Sequence, residues 1–235
     1  MKVSLLVYTL NEVDGMRQIM PRIDKSWCDE IIVIDGGSTD GTVEYCREHG
    51  YPVYRQSYPR WAGAYMEAYK RATGDILIDF SPDGNSVPEL IPEIISKFEN
   101  GFDIVYASRY AGDALSEDDS ILTRIGNRIF THLINLLFGG RISDSLVVYR
   151  AYTREFLARA GLLHGVLPQC VTALISIRCN KIKARRADIP GDEPARIGGV
   201  AKMNPLLDGL RIIGVILREL IFYDFKKHPF KKWRQ

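Results

Sequence analysis

Apolar positions in the first half of the chain alternate between short β-branched runs and longer stretches of helical period. Val3–Val7 predicts a strand, Glu12–Arg22 a helix that stops near Pro21, and Ile31-Ile32-Val33-Ile34 a buried strand. Ser38-Thr39-Asp40-Gly41-Thr42 opens the next helix, with Ser38 or Thr39 as the expected cap. Val53-Tyr54 reads as a short strand, Ala62–Thr73 as a helix ended by Gly74, and Ile76-Leu77-Ile78 as a strand. Glu89–Asn100 then predicts a helix and Ile104-Val105-Tyr106 a strand. Helices between successive strands require crossovers, so an α/β fold with a mostly parallel sheet, covered on both faces, is expected. Ligands in such folds collect at the carboxyl ends of the strands.

The second half changes period. Leu122–Phe138 predicts a long helix with Leu122, Ile125, Ile129, Leu133, Leu136 and Leu137 on one side and Arg124, Arg128 and Asn135 on another, stopped by Gly139-Gly140. Leu146–Tyr149 is expected as a strand or turn, Leu167–Ile177 as a helix and Lys183–Ile189 as extended chain. Pro205–Phe222 places Leu206, Leu210, Ile213, Leu217 and Leu220 at helical spacing, an apolar arc broken by Asp208, Arg211, Arg218 and Glu219. There is no internal repeat and no low-complexity linker.

Composition narrows the class. The 235 residues suit one large domain, and 46% hydrophobic with 26% charged residues is a globular balance. A net charge of +2 from 31 basic and 29 acidic residues excludes nucleic-acid binding by bulk charge. Five cations, Lys226, Lys227, Lys231, Lys232 and Arg234, lie in residues 226–235 without an acid, so the rest of the chain is net acidic. Phe222, Tyr223, Phe225, Phe230 and Trp233 interleave with them. An interfacial helix followed by a polybasic patch is the expectation, holding the protein peripherally on the cytoplasmic membrane face. The alternative is that the arc of 205–222 packs on the domain or on a second copy in a homo-oligomer. No signal peptide is read at the N-terminus, and the apolar run Ile212–Leu217 falls far short of the roughly 20 residues of a spanning helix. The cysteines, Cys28, Cys46, Cys170 and Cys179, form no Cys-x-x-Cys pair, as expected of reduced thiols in the cytosol rather than a disulfide or zinc framework.

Four polar segments follow predicted strands: Thr9-Leu10-Asn11-Glu12, Asp35–Thr42, Asp79–Asn85 and Ser108-Arg109-Tyr110. Each alone is an ordinary turn or cap. Together they line one sheet edge with carboxylates, amides and hydroxyls, which suits a sugar nucleotide whose diphosphate is neutralised by a hard divalent cation.

From Val3 to about Asn204 the chain resembles family 2 glycosyltransferases of the GT-A fold, and among them the dolichyl- and polyprenyl-phosphate sugar synthases. Asn11-Glu12 matches the first nucleotide-binding motif, with Tyr8 where proline is usual. Asp35–Thr42 matches Asp-Asp-Gly-Ser-Thr-Asp-Gly-Thr with Gly36 for the second Asp, and Ala72–Asp75 matches Ala-x-Gly-Asp. Ser81–Asn85 stands at Asp-x-Asp-x-Gln and keeps only its central acid, Asp83. Ala107–Tyr110, Asp144–Arg150 and Arg196–Lys202 match three further motifs in the family's order.

The resemblance implies a GT-A domain over 1–204, with a nucleotide-sugar half (1–112) and an acceptor half (113–204), followed by the helix and basic tail of 205–235. It implies donor binding by Thr9, Asn11, Glu12, Asp35, Gly37, Ser38, Asp75 and Lys202. Asp83, Asn85 and Ser81 would hold Mg2+ or Mn2+, and Asp83 and Asp144 would be catalytic. Arg109, Arg124, Arg128 and Arg196 would take the acceptor phosphate, with Arg196 and Lys202 also able to close over the donor phosphates. The implied reaction is metal-dependent inverting transfer from a nucleotide-diphosphate sugar to a polyprenyl or dolichyl phosphate. A hydroxyl acceptor would need Asp144 as general base, whereas a phosphate acceptor would not. Transfer to a hydroxyl of a lipid-linked or surface polysaccharide, and a non-catalytic sugar-nucleotide-binding role, are the alternatives.

Overall fold

The β-branched runs assemble into one seven-stranded sheet with flanking helices. The computed structural model describes residues 1–163, 165, 167–197 and 204–221. The strands are β1 (Val3–Thr9), β2 (Glu30–Asp35), β3 (Val53–Arg55), β4 (Ile76–Phe80), β5 (Ile104–Ser108), β6 (Arg150–Thr153) and β7 (Arg186–Pro190). The helices are α1 (Val13–Ile19), α2 (Thr42–Glu48), α3 (Arg60–Arg71), α4 (Ile91–Glu99), α5 (Ile121–Phe138), α6 (Arg154–Arg159), α7 (Val171–Lys181) and α8 (Pro205–Ile221). The strand order is β3-β2-β1-β4-β6-β5-β7. All neighbours pair in parallel except β6, which runs antiparallel to both β4 and β5. Every residue of β1, β4 and β5 is buried, as expected of strands covered on both faces.

Several expected boundaries move for local reasons. α2 starts at Thr42, not within Ser38–Thr39, because Gly37 and Gly41 take φ of +103° and +100° and delay the helix. The Ser38 hydroxyl instead donates to Asp35 and accepts from the Asn11 N–H. Leu146–Tyr149 is not a strand: the Asp144 carboxylate accepts from the Leu146 and Val147 N–H groups, and the ladder begins only at Arg150. Helix α7 lies four residues later than Leu167–Ile177 suggested, and α6 was not anticipated. α5 meets its expected end, with Ser120 capping the Thr123 N–H and Gly139 in the left-handed conformation.

The apolar sides of α5 and α8 are the largest departure from the usual inward-facing stripe. Leu122, Ile125, Ile129 and Leu136 are exposed, while Thr131 and Ile134 are buried. On α8, Leu206, Leu210, Ile213, Leu217 and Leu220 are exposed, and the buried side carries Ile212, Val215, Ile216 and Glu219. Glu219 is held by Arg178 of α7 at 3.0 Å and Lys181 at 3.2 Å. α8 is thus seated by Ile212, Val215 and Ile216 together with this ion pair, and its leucines are left outward. No helix among the described residues is long and apolar enough to cross a membrane.

Candidate active site

The parallel register brings the carboxyl ends of β1, β2 and β4 to one edge, with Thr9 opposite Asp35 and Val7 opposite Phe80. Because β6 is antiparallel, the turn before Arg150 returns to that same edge. Residues 144–149 therefore lie at the same sheet edge as the strand-end loops of 9–12, 35–42 and 81–85.

The first two loops are tied together. Asp35 accepts from the Gly37 N–H at 2.7 Å, the Ser38 N–H at 3.0 Å and the Thr9 hydroxyl at 3.3 Å. Asn11, at φ +56°, accepts from the Thr39 N–H at 2.8 Å, and the Glu12 N–H donates to the Thr42 hydroxyl at 3.0 Å. Thr9, Asn11, Glu12, Asp35, Gly37 and Ser38 thus form one preorganised rim. Asp75 does not join it. It lies just before β4, at the opposite sheet edge, where it accepts from the Lys2 N–H at 2.9 Å. Lys202 lies outside the described residues.

The loop after β4 is held from two sides. A side chain at Gly15 of α1 would place its Cβ 2.2 Å from Pro82 O, so only glycine lets α1 approach so closely. On the other side the Ile197 N–H donates to Asp83 O at 2.7 Å. Asp83 is buried, and its Oδ1 accepts from the Asn85 N–H at 3.2 Å. Arg196, expected on the acceptor phosphate, sits with Nη1 2.6 Å from Asp83 Oδ2 and Nη2 3.7 Å from Asp118. Asn85 Nδ2 donates to Asp118 at 2.7 Å, and Asn85 Oδ1 is buried without a hydrogen-bond partner. A buried carboxylate and, two residues on, a buried amide oxygen without a partner among the described residues are oxygen donors of the kind that a hard divalent cation takes, and the Arg196 guanidinium supplies a positive charge at Asp83. Among the described residues no three His, Cys, Asp or Glu side chains cluster as a metal site, so Asp83 is the acid of this donor set.

Arg109 and Asp144 pair deeper in the edge. Asp144 is fully buried and receives Arg109 Nε at 2.6 Å and Nη2 at 3.0 Å. Arg109 Nη1 also lies 3.5 Å from both Asp119 and Glu193. Burial opposes the guanidinium charge, but Asp144 and then Glu193 outweigh it and hold Arg109 well above the ordinary arginine range. Arg124 donates to Ser116 O at 2.9 Å. Arg128 lies over the Tyr110 ring, 5.2 Å from its centroid, and has no ion pair among the described residues. Of the four arginines, Arg109 and Arg196 are thus committed to carboxylates, while Arg124 and Arg128 carry no carboxylate partner among the described residues.

Asp79, expected to open the polar segment after its strand, lies instead inside β4. Asp79 of β4 is fully buried and accepts from Tyr8 at 2.8 Å and Tyr152 at 2.6 Å. Burial pushes its carboxyl up to about 7, against the hydrogen bonds that favour the anion. The folded chain keeps this proton between about pH 4 and about pH 7, where the unfolded chain has released it. Asp79 therefore contributes stability at low pH that is lost as pH rises through 7. Glu193, also raised chiefly by burial, acts in the same direction. The lowered carboxyls of Glu30, Asp40 and Glu89 act oppositely, but below their ordinary values of 4.5, 3.8 and 4.5. Urea unfolding at pH 5, 6 and 7 is expected to show stability falling by up to about 1.4 kcal/mol per pH unit, with a shallower slope in Asp79→Asn. Constant or rising stability over that range would contradict the assignment.

Comparison with known proteins bears on the family and the fold. The family model described as Glycosyl transferase family 2 matches residues 7–161. Undecaprenyl-phosphate 4-deoxy-4-formamido-L-arabinose transferase of Klebsiella pneumoniae is 26% identical over 201 residues, covering 80% of this chain and 58% of that protein. Dolichol-phosphate mannosyltransferase of Pyrococcus furiosus is 35% identical over 118 residues, 47% of this chain and 34% of that protein. This chain thus spans little more than half the length of the first of these relatives, and less of the second. Glucosyl-3-phosphoglycerate synthase of Mycobacterium tuberculosis, solved with Mn2+, UDP-glucose and phosphoglyceric acid, superposes with a TM-score of 0.70 over 95% of this chain and 81% of that one, at 20% identity. At that identity the likeness speaks for the fold, and it agrees with the expected GT-A architecture. With the family model covering well over half of its residues, the chain belongs to glycosyl transferase family 2.

Proposed function

We propose that the protein transfers a sugar, with inversion, from a nucleotide-diphosphate sugar to a polyprenyl phosphate at a membrane surface. The observation that carries this reading is the state of Asp144. Both of its oxygens are taken by Arg109, and Oδ1 also accepts from the Leu146 and Val147 N–H groups at 3.2 and 3.1 Å. A carboxylate so occupied is poorly placed to take a proton from a hydroxyl acceptor. A phosphate acceptor arrives already ionised and needs no base. The names of the polyprenyl- and dolichol-phosphate relatives support the same acceptor class.

The roles follow from the geometry. The rim of Thr9, Asn11, Asp35 and Ser38 binds the nucleoside side of the donor. Asp83 and Asn85, with Ser81 beside them, would hold Mg2+ or Mn2+, which would supply charge neutralisation to the diphosphate leaving group. Arg109 fixes Asp144 and the turn before β6. Arg128 and Arg124, on the α5 face that borders this turn, attract the lipid phosphate. The exposed leucines and isoleucines of α5 and α8 lie on the bilayer, aided by the cations of 226–235.

The test is transfer to polyprenyl phosphate from a panel of UDP- and GDP-sugars with Mn2+, alongside a hydroxyl-bearing glycolipid. Arg128→Ala is expected to raise the KM for the lipid phosphate by about 10- to 100-fold and leave donor KM unchanged, since a charge-assisted contact is worth roughly 1.5–3 kcal/mol. An equal loss for both substrates would place Arg128 outside the acceptor site. The full chain is also expected to sediment with anionic vesicles at low salt. Ile213→Ser with Leu217→Ser should reduce that binding, and no sedimentation of the unmodified chain would favour a soluble acceptor.

A further inference from the structure

The loss of an acid at Ser81 leaves a neutral amide, Asn85, as the partner of Asp83 in the cation site. An amide offers a cation one useful atom of two, and a half-turn about its last bond presents NH2 instead of oxygen. Such a ligand needs something to fix its orientation. The structure supplies one. Asp118, in the segment before α5, accepts from Asn85 Nδ2 at 2.7 Å. A carboxylate accepts only, so this bond holds the amide nitrogen toward Asp118 and leaves Asn85 Oδ1, buried and unpartnered, on the other side.

Asp118 is itself held in place. Its segment forms a parallel bridge, Ser116 to Glu193, with the chain that carries Arg196. The Glu117 N–H donates to Glu193 O at 2.9 Å, the Glu193 N–H to Leu115 O at 2.8 Å, and the Ser116 hydroxyl to Glu193 at 2.5 Å. The Leu115 N–H donates to Asp192 at 2.9 Å. These bonds clamp the 115–118 segment against 192–197, whose Ile197 N–H reaches Asp83 O.

We propose that Asp118 is a positioning residue of the cation site, which turns the Asn85 amide so that Oδ1 faces the ion. This rests on the reading of Asp83 and Asn85 as cation ligands and extends it to a residue that touches neither donor nor acceptor. Partners that orient metal ligands commonly change affinity by about 10- to 100-fold when removed. The carboxylate also adds negative charge near a site that has lost one at position 81.

The experiment is Mn2+ titration of the full chain without nucleotide or lipid, read by the electron paramagnetic resonance signal of free Mn2+. Asp118→Ala is expected to weaken Mn2+ binding at least about tenfold. Asn85→Asp presents oxygen in either orientation, so Asn85→Asp with Asp118→Ala should recover the affinity. Arg196→Ala, which removes the guanidinium from both carboxylates, should tighten binding. Three results overturn the proposal: unchanged affinity in Asp118→Ala, no recovery in the double variant, or a matching loss in Arg196→Ala, which would mean that Asp118 acts through Arg196. Absence of Mn2+ binding by the unmodified chain overturns it as well. Transfer to polyprenyl phosphate is not part of the readout, so failure of the acceptor assignment leaves this test intact.

Discussion

Asp83→Ala is expected to abolish sugar transfer while the fold survives. Asp83 is the acid in the Asp83–Asn85 donor set, it is buried, and it sits at a loop end rather than in the core of the sheet. Removing it strips the diphosphate of its principal counter-charge at the moment the leaving group departs. Electrostatic stabilisation of that kind is worth several kcal/mol, a rate loss of about 10³-fold or more. The alanine leaves Arg196 without its closest partner, but that side chain is partly exposed and water takes over its solvation. Initial rates with donor, polyprenyl phosphate and saturating Mn2+, together with a thermal melt, decide the matter. A folded variant that turns over like the wild type would remove Asp83 from the site. Ser81→Asp makes the converse change and is expected to tighten Mn2+ binding.

Arg109→Leu should be the most destabilising single change at the site. It leaves the fully buried Asp144 without its bidentate partner, and an uncompensated buried charge of this kind costs about 3–5 kcal/mol. For a chain of this size the melting temperature should fall by roughly 10 °C. Adding Asp144→Asn removes the charge and keeps an oxygen for the Leu146 and Val147 N–H groups, so much of the loss should return. Activity should not return with it, because the turn before β6 no longer has its anchoring arginine. A single variant that melts with the wild type would show that water reaches Asp144 and that the pair contributes little.

The sequence carried the strand ends and not the contacts between them. β1, β2, β4 and β5 were legible because each is a compact β-branched run, and the loops that follow them were therefore placed on one edge. β6 was not. Leu146–Tyr149 has the composition of a strand, but its N–H groups are claimed by Asp144, and that competition is invisible until the chain is folded. Asp79 reads as loop rather than as part of β4 for a related reason: a strand buried on both faces is expected to be apolar throughout, and the Tyr8 and Tyr152 hydroxyls that make an acid tolerable there lie 71 and 73 residues away. Asp118 is 33 residues from Asn85 and has no local signature. For α5 and α8 helical spacing identified an apolar side but not the direction it faces. α8 carries two apolar sets, and the one that packs inward, Ile212, Val215 and Ile216 beside the Arg178–Glu219 ion pair, cannot be told from the leucines by period alone.

The position of β6 between β4 and β5 also orders the assembly of the chain. β5 touches only β6 and β7 in the sheet, so it is synthesised before either strand that can hold it. Until residue 150 has emerged, β4 presents an open edge, and β5 has no place to dock. A nascent chain paused in α5 thus exposes two sticky strands at once and depends on rapid elongation or a chaperone to avoid edge-to-edge pairing. The same event that closes this edge brings residues 144–149 to the sheet edge that carries the loops of 9–12 and 35–42. On the proposed assignment, sheet closure and completion of the acceptor side are then one step, and a folded form that binds donor with the acceptor side missing is not expected.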